Sequence, residues 1–406
     1  MQVPPMEQPD ISSGMVLLLA VAAGVIVANL YYAQTLVGPI SRATGLSPQA
    51  SGLIVTLTQL GYVIGLLFIV PLGDVIENRR LVVGALALSA AALATAAVST
   101  TGWVFLAAAL AIGIGSVAAQ VLVPYAAHLS REASRGHVVG KVVSGLLLGI
   151  MLARPVASLV ADASNWHMVF GGAAAMVALL ALVLRARLPR RVPESPLPYA
   201  RLIGSLWTLF TRTPLLRRRA AYQAGLFGAF SLFWTVAPLM LAGPVFHVSQ
   251  TGIAIFALVG MAGVVASPIA GRLADAGHTL AATGAALALG VAGCALPLLV
   301  SGSREVALGV LVASSIILDM AVAANLVIGQ RAIFGMAADV RSRLNGLYLA
   351  CFFLGGAVGS ALGGYVFATY GWHATLLAGM AFPCLGLAWW LLELKDTRGR
   401  IAQRAE

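Results

Sequence analysis

The chain has 406 residues, 60% of them hydrophobic and only 10% charged, with a mean hydropathy of +0.94. A soluble domain carries roughly a quarter of its residues as Asp, Glu, Lys and Arg, so this composition excludes a water-soluble fold and makes lipid the solvent for most of the surface. The net charge of +11 would suit a nucleic-acid ligand only if the 25 basic residues formed one patch, and they are instead distributed between apolar runs.

The stretch MQVPPMEQPDISSG has neither a basic region nor a small-residue cleavage site before the first apolar run, so no cleaved signal peptide is expected. Runs long enough to cross about 30 Å of hydrocarbon lie at 14–37, 49–72, 81–99, 103–127, 139–161 and 168–184. Six more lie at 219–242, 251–271, 280–300, 305–330, 343–368 and 374–392. Between the sets, Arg185 to Arg219 is rich in Arg and Pro and holds no run long enough to span. The expected organisation is an all-α integral membrane protein: a six-helix bundle over 1–184, a linker over 185–218, and a second six-helix bundle with a short tail over 219–406.

Placing the N-terminus in the cytoplasm puts 22 of the 25 basic residues in inside segments, including nine arginines from Arg185 to Arg219. Only Arg42 and Arg304 then lie outside, and Arg154 falls within a run. The positive-inside rule thus predicts both termini in the cytoplasm and explains the high pI as topology.

The halves also repeat. At an offset of 206, Arg135 falls on Arg341, Gly140 on Gly346, Gly149 on Gly355, and Trp166-His167 on Trp372-His373. The rare Trp-His pair makes coincidence a poor explanation in a Gly-rich chain. Gly38-Pro39 falls on Gly243-Pro244, and Leu72/Asp74 on Leu273/Asp275, at slightly smaller offsets. Parallel repeats related by an axis along the membrane normal, with a solute site near midplane between them, are a recurring transporter architecture.

The loop PLGDVIENRRL from Pro71 to Leu81 partly matches the G-x-L-A-D-R-x-G-R-R signature of the major facilitator superfamily through Leu72, Asp74, Arg79 and Arg80. Its second copy, GRLADAGHT, keeps Gly271 and Asp275 but not the arginines. With the internal repeat, the chain resembles that superfamily over its whole length. The phrases ANLYYAQTLVGPI, QVLVPYAAHL and VRSRLNGLYL look like its bacterial drug-exporter and arabinose-efflux-permease-like branch. The fifth run, GKVVSGLLLGIMLARPVAS, resembles a degenerate exporter motif in which the Gly-Pro pair appears as Arg154-Pro155, one residue late. The resemblance implies a cytoplasmic gate at Asp74, Arg79, Arg80, Gly271 and Asp275. A carboxylate beside helix N-termini and arginines can lock one state and release the other; the plainer alternative is that Asp74 caps the third helix.

Ionisable groups within hydrocarbon are costly and mark function. Of 14 acids only Asp319 stands near midplane, ~21 Å from Glu305 and ~18 Å from Arg331 along a helix. It is the candidate for proton coupling, against a permanently neutral structural acid. Arg154, ~20 Å from Lys141, is the intramembrane cation, pinning its helix to neighbours or meeting an anion. Because helices 1, 4, 7 and 10 line the cavity in the family, Asn29, Tyr32, Gln120, Trp234 and Asn325 are the solute-site candidates. Tyr31, Gln34 and Gln330 read as interhelical bonds or interface aromatics.

The six histidines fall at run ends on different sides, and Cys294, Cys351 and Cys384 sit in apolar surroundings. Neither an enzyme site, a metal nor a cofactor is therefore expected, and no Walker motif suggests ATP-driven transport. The expected protein is a secondary transporter of the bacterial inner membrane, monomeric, moving a small solute by proton-coupled efflux. The alternative is an uptake symporter or facilitator for a sugar, nucleoside or organic acid.

Overall fold

The computed structural model describes residues 11–193, 198–300, 302–336 and 340–405, with side chains as far as Lys395. Among these residues the ordered structure is helical throughout. The first half contains α1 (Ser13–Ala28), α2 (Val37–Thr44), α3 (Leu53–Ile64), α4 (Asn78–Val98), α5 (Gly102–Ser116), α6 (Ala118–Leu129), α7 (Arg135–Ala163) and α8 (Trp166–Arg187). After α9 (Tyr199–Arg212) come α10 (Pro214–Ala242), α11 (Gln250–Gly260), α12 (Ala266–Asp275), α13 (Thr279–Leu299), α14 (Arg304–Phe334) and α15 (Arg341–Ala405).

Among the described residues, eleven helical stretches are long and apolar enough to cross a membrane. The last, Arg341–Lys395, has 55 residues, which as one helix would reach about 80 Å. Gly371 interrupts it at φ 78° and ψ −171°, a left-handed φ that glycine adopts without a Cβ penalty. The apolar runs expected at 343–368 and 374–392 flank that break.

Four spans are internally irregular. α1 gives way at Asn29 to a 3₁₀ turn, Tyr32–Thr35, before α2. The segment after α3 is a π-helix, Gly65–Ile69, followed by the 3₁₀ turn Val70–Asp74. α5 and α6 meet at Val117, and a 3₁₀ turn, Met261–Val265, separates α11 from α12. Non-helical backbone at membrane depth is tolerated where protein buries it or a cavity lines it.

The segment expected as linker is more ordered than its Arg/Pro content suggests. α8 continues to Arg187, with Arg185 and Arg187 in a last turn whose dipole favours cations. Pro214 starts α10 at a position where its missing N–H is harmless. Between them α9 is amphipathic, burying Leu202 and Leu206 while Trp207, Arg201 and Arg212 face outward. Residues 194–197 of the expected linker, like the first ten residues, lie outside the described residues.

Glycines bring helix pairs together within each half. A Cβ on Gly24 would lie 2.6 Å from the Gly145 carbonyl oxygen, welding α1 to α7. Gly355 and Gly359 of α15 meet Ala224 and Gly228 of α10 in the same way, so the Gly149/Gly355 correspondence in sequence marks equivalent close packing. Two of the seams between the halves are polar. At one, Gln59 Nε2 donates to Ser231 Oγ at 2.9 Å and Ser360 Oγ to the Gly52 carbonyl at 3.0 Å. At the other, α7 lies on α11, where Thr251 Oγ1 donates to Asp162 at 2.5 Å.

Candidate functional site

Arg154 is 4% exposed, one helical position before Pro155, on the buried face of α7. Its Nε donates to Gln34 Oε1 at 2.7 Å. The guanidinium carbon lies 4.4 Å from the Trp234 ring centroid, 5.0 Å from Phe230 and 5.4 Å from Tyr31. The first half thus supplies the cation, the glutamine and Tyr31, and α10 of the second half supplies the other two faces. Aromatic faces carry negative charge density and attract a desolvated cation, so the site holds a positive charge without a carboxylate in contact.

Asp319 of α14 completes the arrangement. It interacts electrostatically with Arg154 across the interface and faces the indole of Trp234. Among the described residues no ion pair closes between Arg154 and Asp319, and the approach of Asp319 Oδ2 and Trp234 Nε1 falls short of hydrogen-bond geometry. Backbone from the irregular Met261–Val265 turn approaches here: a Cβ on Gly263 would stand 2.6 Å from Asp319 Cβ, and one on Gly260 2.9 Å from the Trp234 ring. Asn29, Gln34 Nε2 and Thr35 Oγ1 are also buried without partners, all on the broken segment of the first span.

The other sequence-selected residues separate. Gln120 donates to the Tyr62 hydroxyl at 3.0 Å and lines a cavity of about 470 Å³, walled also by Val123 and Pro124 of α6 and by Asn345 and Leu349 of α15. That cavity opens at the end of the bundle carrying α9. Tyr62 itself packs against Phe353 of α15, with ring centroids 4.5 Å apart. Tyr32, in the 3₁₀ turn after α1, is partly buried. Asn325 instead donates to Gln223 Oε1 at 2.7 Å, within the packing of α10 and α14. Gln34, Tyr31 and Phe230, not selected from sequence, contact Arg154 directly. Gln34, read from sequence as an interhelical hydrogen bond, makes one to Arg154 of α7 and so belongs to the site. Gln330 donates to Asn345 at 3.1 Å.

At the opposite end the seam is tight. A Cβ on Gly38 would lie 3.2 Å from Leu239, and the pocket between these helices is only about 90 Å³.

In the signature loop, Arg79 and Arg80 turn to Glu77, at 3.4 and 2.9 Å, rather than to Asp74. Asp74 faces the positive field of Arg343 on α15, with Arg191 and His128 nearby. It does not cap α4, whose N-cap position is Glu77. Asn78 Nδ2 holds the Gly73 carbonyl at 2.6 Å and Arg191 donates to Asn78 Oδ1 at 2.8 Å, bracing the loop. In the second copy Asp275 pairs with Arg331 from α14, and Gly271 leaves the room that guanidinium occupies. The arginine absent from the second motif is thus supplied by another helix.

A polytopic helical protein whose halves meet over a buried cation and a partly buried acid, with a cavity open to one end, has the build of a membrane carrier. The Major Facilitator Superfamily model matches residues 17–310, and the chain belongs to that family of membrane transporters, which are not enzymes. It is 39% identical over 383 residues to the uncharacterised transporter YgaY of Escherichia coli O157:H7, covering 94% of this chain and 96% of that one. A probable transporter of Streptomyces coelicolor is 33% identical over 375 residues, covering 91% and 85%. Among solved structures, the nucleoside transporter NupG, as its D323A mutant, superposes with a TM-score of 0.75 at 16% identity over 93% of this chain and 99% of that one. A bacterial homologue of the human lysosomal transporter Spinster, inward-facing and occupied, gives 0.75 at 14% identity, covering 94% and 97%.

Proposed function

We propose that the chain is a proton-coupled secondary transporter that exports a small solute by alternating access. In this reading it has twelve spans, counting two on either side of Gly371, in two pseudo-twofold-related bundles with both termini in the cytoplasm of a bacterial inner-membrane protein. The single observation that carries the mechanism is that Arg154 of the first half and Asp319 of the second both stand beside Trp234 at the interface without a closed ion pair between them.

Protonated, Asp319 has no charge with which to hold Arg154, and the guanidinium stays on Gln34 and the three rings. Ionised, the carboxylate draws the guanidinium toward the second half. Proton loss and gain on one side chain therefore change the attraction between the two bodies that must move. A ligand or proton can shift such an equilibrium only through differential interaction with its states, and this pair supplies that difference. The cavity beside Gln120 belongs to the inward-facing state, with the outer end closed at Gly38 and Thr251. Asp74, opposite Arg343, is the gate residue on the cytoplasmic side. Support for export comes from the resemblance of the fifth span to an exporter motif.

Asp319→Asn tests the coupling, because Asn keeps the size and hydrogen bonding of a protonated Asp but cannot ionise. In proteoliposomes the variant is expected to lose uphill movement driven by a proton gradient while retaining solute exchange. Uphill transport by the variant would overturn the assignment. The second reading, an uptake symporter or facilitator, is favoured by the same buried cation if the solute is an organic acid, whose carboxylate would meet a guanidinium that no carboxylate of the chain touches.

A further inference from the structure

We propose that an anionic phospholipid binds beneath α9, with an acyl chain in an apolar groove along α15 and its phosphate on Arg217 and Arg212. Two grooves, of about 410 and 340 Å³, flank this helix and share Phe210, Cys351 and Leu354 as common lining. They adjoin at Phe210, one on the α3 side of α9 and the other on the α10 side. The larger is walled by α3, α9 and α15, and Trp207 at its rim is 71% exposed. An exposed tryptophan on an amphipathic helix is an interfacial anchor, apolar in body and polar at the tip.

Charge identifies the occupant. Residues 198–220 contain five arginines and no acid. Arg218 and Arg219 are turned to Glu393, at 3.6 and 3.5 Å. Arg201, Arg212 and Arg217 are exposed and have no acidic partner among the described residues. Of these, Arg217 lines the smaller groove beside Phe210, which puts a guanidinium at the mouth of an apolar slot. Arg212 precedes it by five residues across the Thr213-Pro214 corner. A zwitterionic lipid would leave these charges uncompensated, whereas each basic residue near the headgroups favours an anionic lipid roughly five-fold.

The site would also act on the gate, because α9 bridges the halves. Tyr199 OH donates to the Phe68 carbonyl of the first half at 2.7 Å, and Arg343 of α15 donates to Ser205 Oγ at 2.9 Å. A lipid seated under α9 holds this strap against both. The proposal stands independently of the solute and the coupling ion.

The test uses the full chain in phosphatidylcholine vesicles containing either brominated phosphatidylglycerol or brominated phosphatidylcholine at the same mole fraction. Trp207 emission is isolated as the difference between the wild type and Trp207→Phe. Brominated phosphatidylglycerol is expected to quench this component several-fold more strongly. The double variant Arg212→Gln/Arg217→Gln should abolish the preference while Arg201→Gln retains it. Equal quenching by the two lipids in the wild type overturns the proposal whatever the variants do. A preference lost equally in Arg201→Gln overturns the assigned headgroup site, leaving only diffuse surface charge.

Discussion

Arg154 illustrates how a single side chain is held when no carboxylate touches it. A buried cation is tolerated only if its surroundings replace hydration, and here one hydrogen bond and three ring faces do so. Lysine keeps the charge but is a compact, strongly hydrated ammonium without the planar fork that stacks on rings. Arg154→Lys should therefore lower stability by about 1–3 kcal/mol, the range for a few desolvated cation–π contacts, and slow transport without abolishing gradient-driven accumulation. Thermal unfolding in detergent and initial rates in proteoliposomes measure the two effects. An unchanged melting temperature would show that the rings do not hold the guanidinium.

Elements are fastened to each other by different means at different depths. In mid-membrane the fastening is steric, through glycine contacts such as Gly24 on Gly145, because lipid offers no hydrophobic drive for helix association. At the linker end of the second half it is ionic. Glu393 of α15, 8% exposed, accepts from Tyr222 OH at 2.7 Å and faces Arg219, whose Nη1 donates to Thr283 Oγ1 at 2.8 Å. This ties α10, α13 and α15 into one body. Removing one partner leaves an uncompensated buried charge, at a cost of about 3–5 kcal/mol. Glu393→Ala should lose that much in detergent unfolding and Glu393→Gln, which still accepts from Tyr222, clearly less. A loss below about 1 kcal/mol would mean that solvent already screens the cluster as at a surface.

For the molecule as a whole, alternating access requires the closed end to part in every cycle. Gly38 and Leu239 face each other across that end, and replacing the leucine removes the group that would crowd a side chain at position 38. In a background lacking Cys294, Cys351 and Cys384, Gly38→Cys with Leu239→Cys should be joined by a short thiol cross-linker. Transport should then stop and return on cleavage of the link. Full transport by the cross-linked protein would show that this seam stays shut throughout the cycle.

The membrane as solvent and the apolar helical stretches were legible in the sequence, because hydropathy and charge act on each segment locally. Trp166-His167 and Trp372-His373 pointed to a repeat, and Asp319 and Arg154 stood out because charges in hydrocarbon are rare. Which faces meet was not legible. Arg154 and Gln34 lie 120 residues apart, and their contact depends on a break after α1 that no glycine or proline announces. The amphipathic α9 was hidden within an Arg- and Pro-rich stretch. Asp74 was expected beside Arg79 and Arg80, yet those turn to Glu77 and it faces Arg343 of the other half. Helical periodicity sets the direction of a side chain relative to its own axis; its partner is decided by which helix packs opposite, and that is a property of the tertiary structure alone.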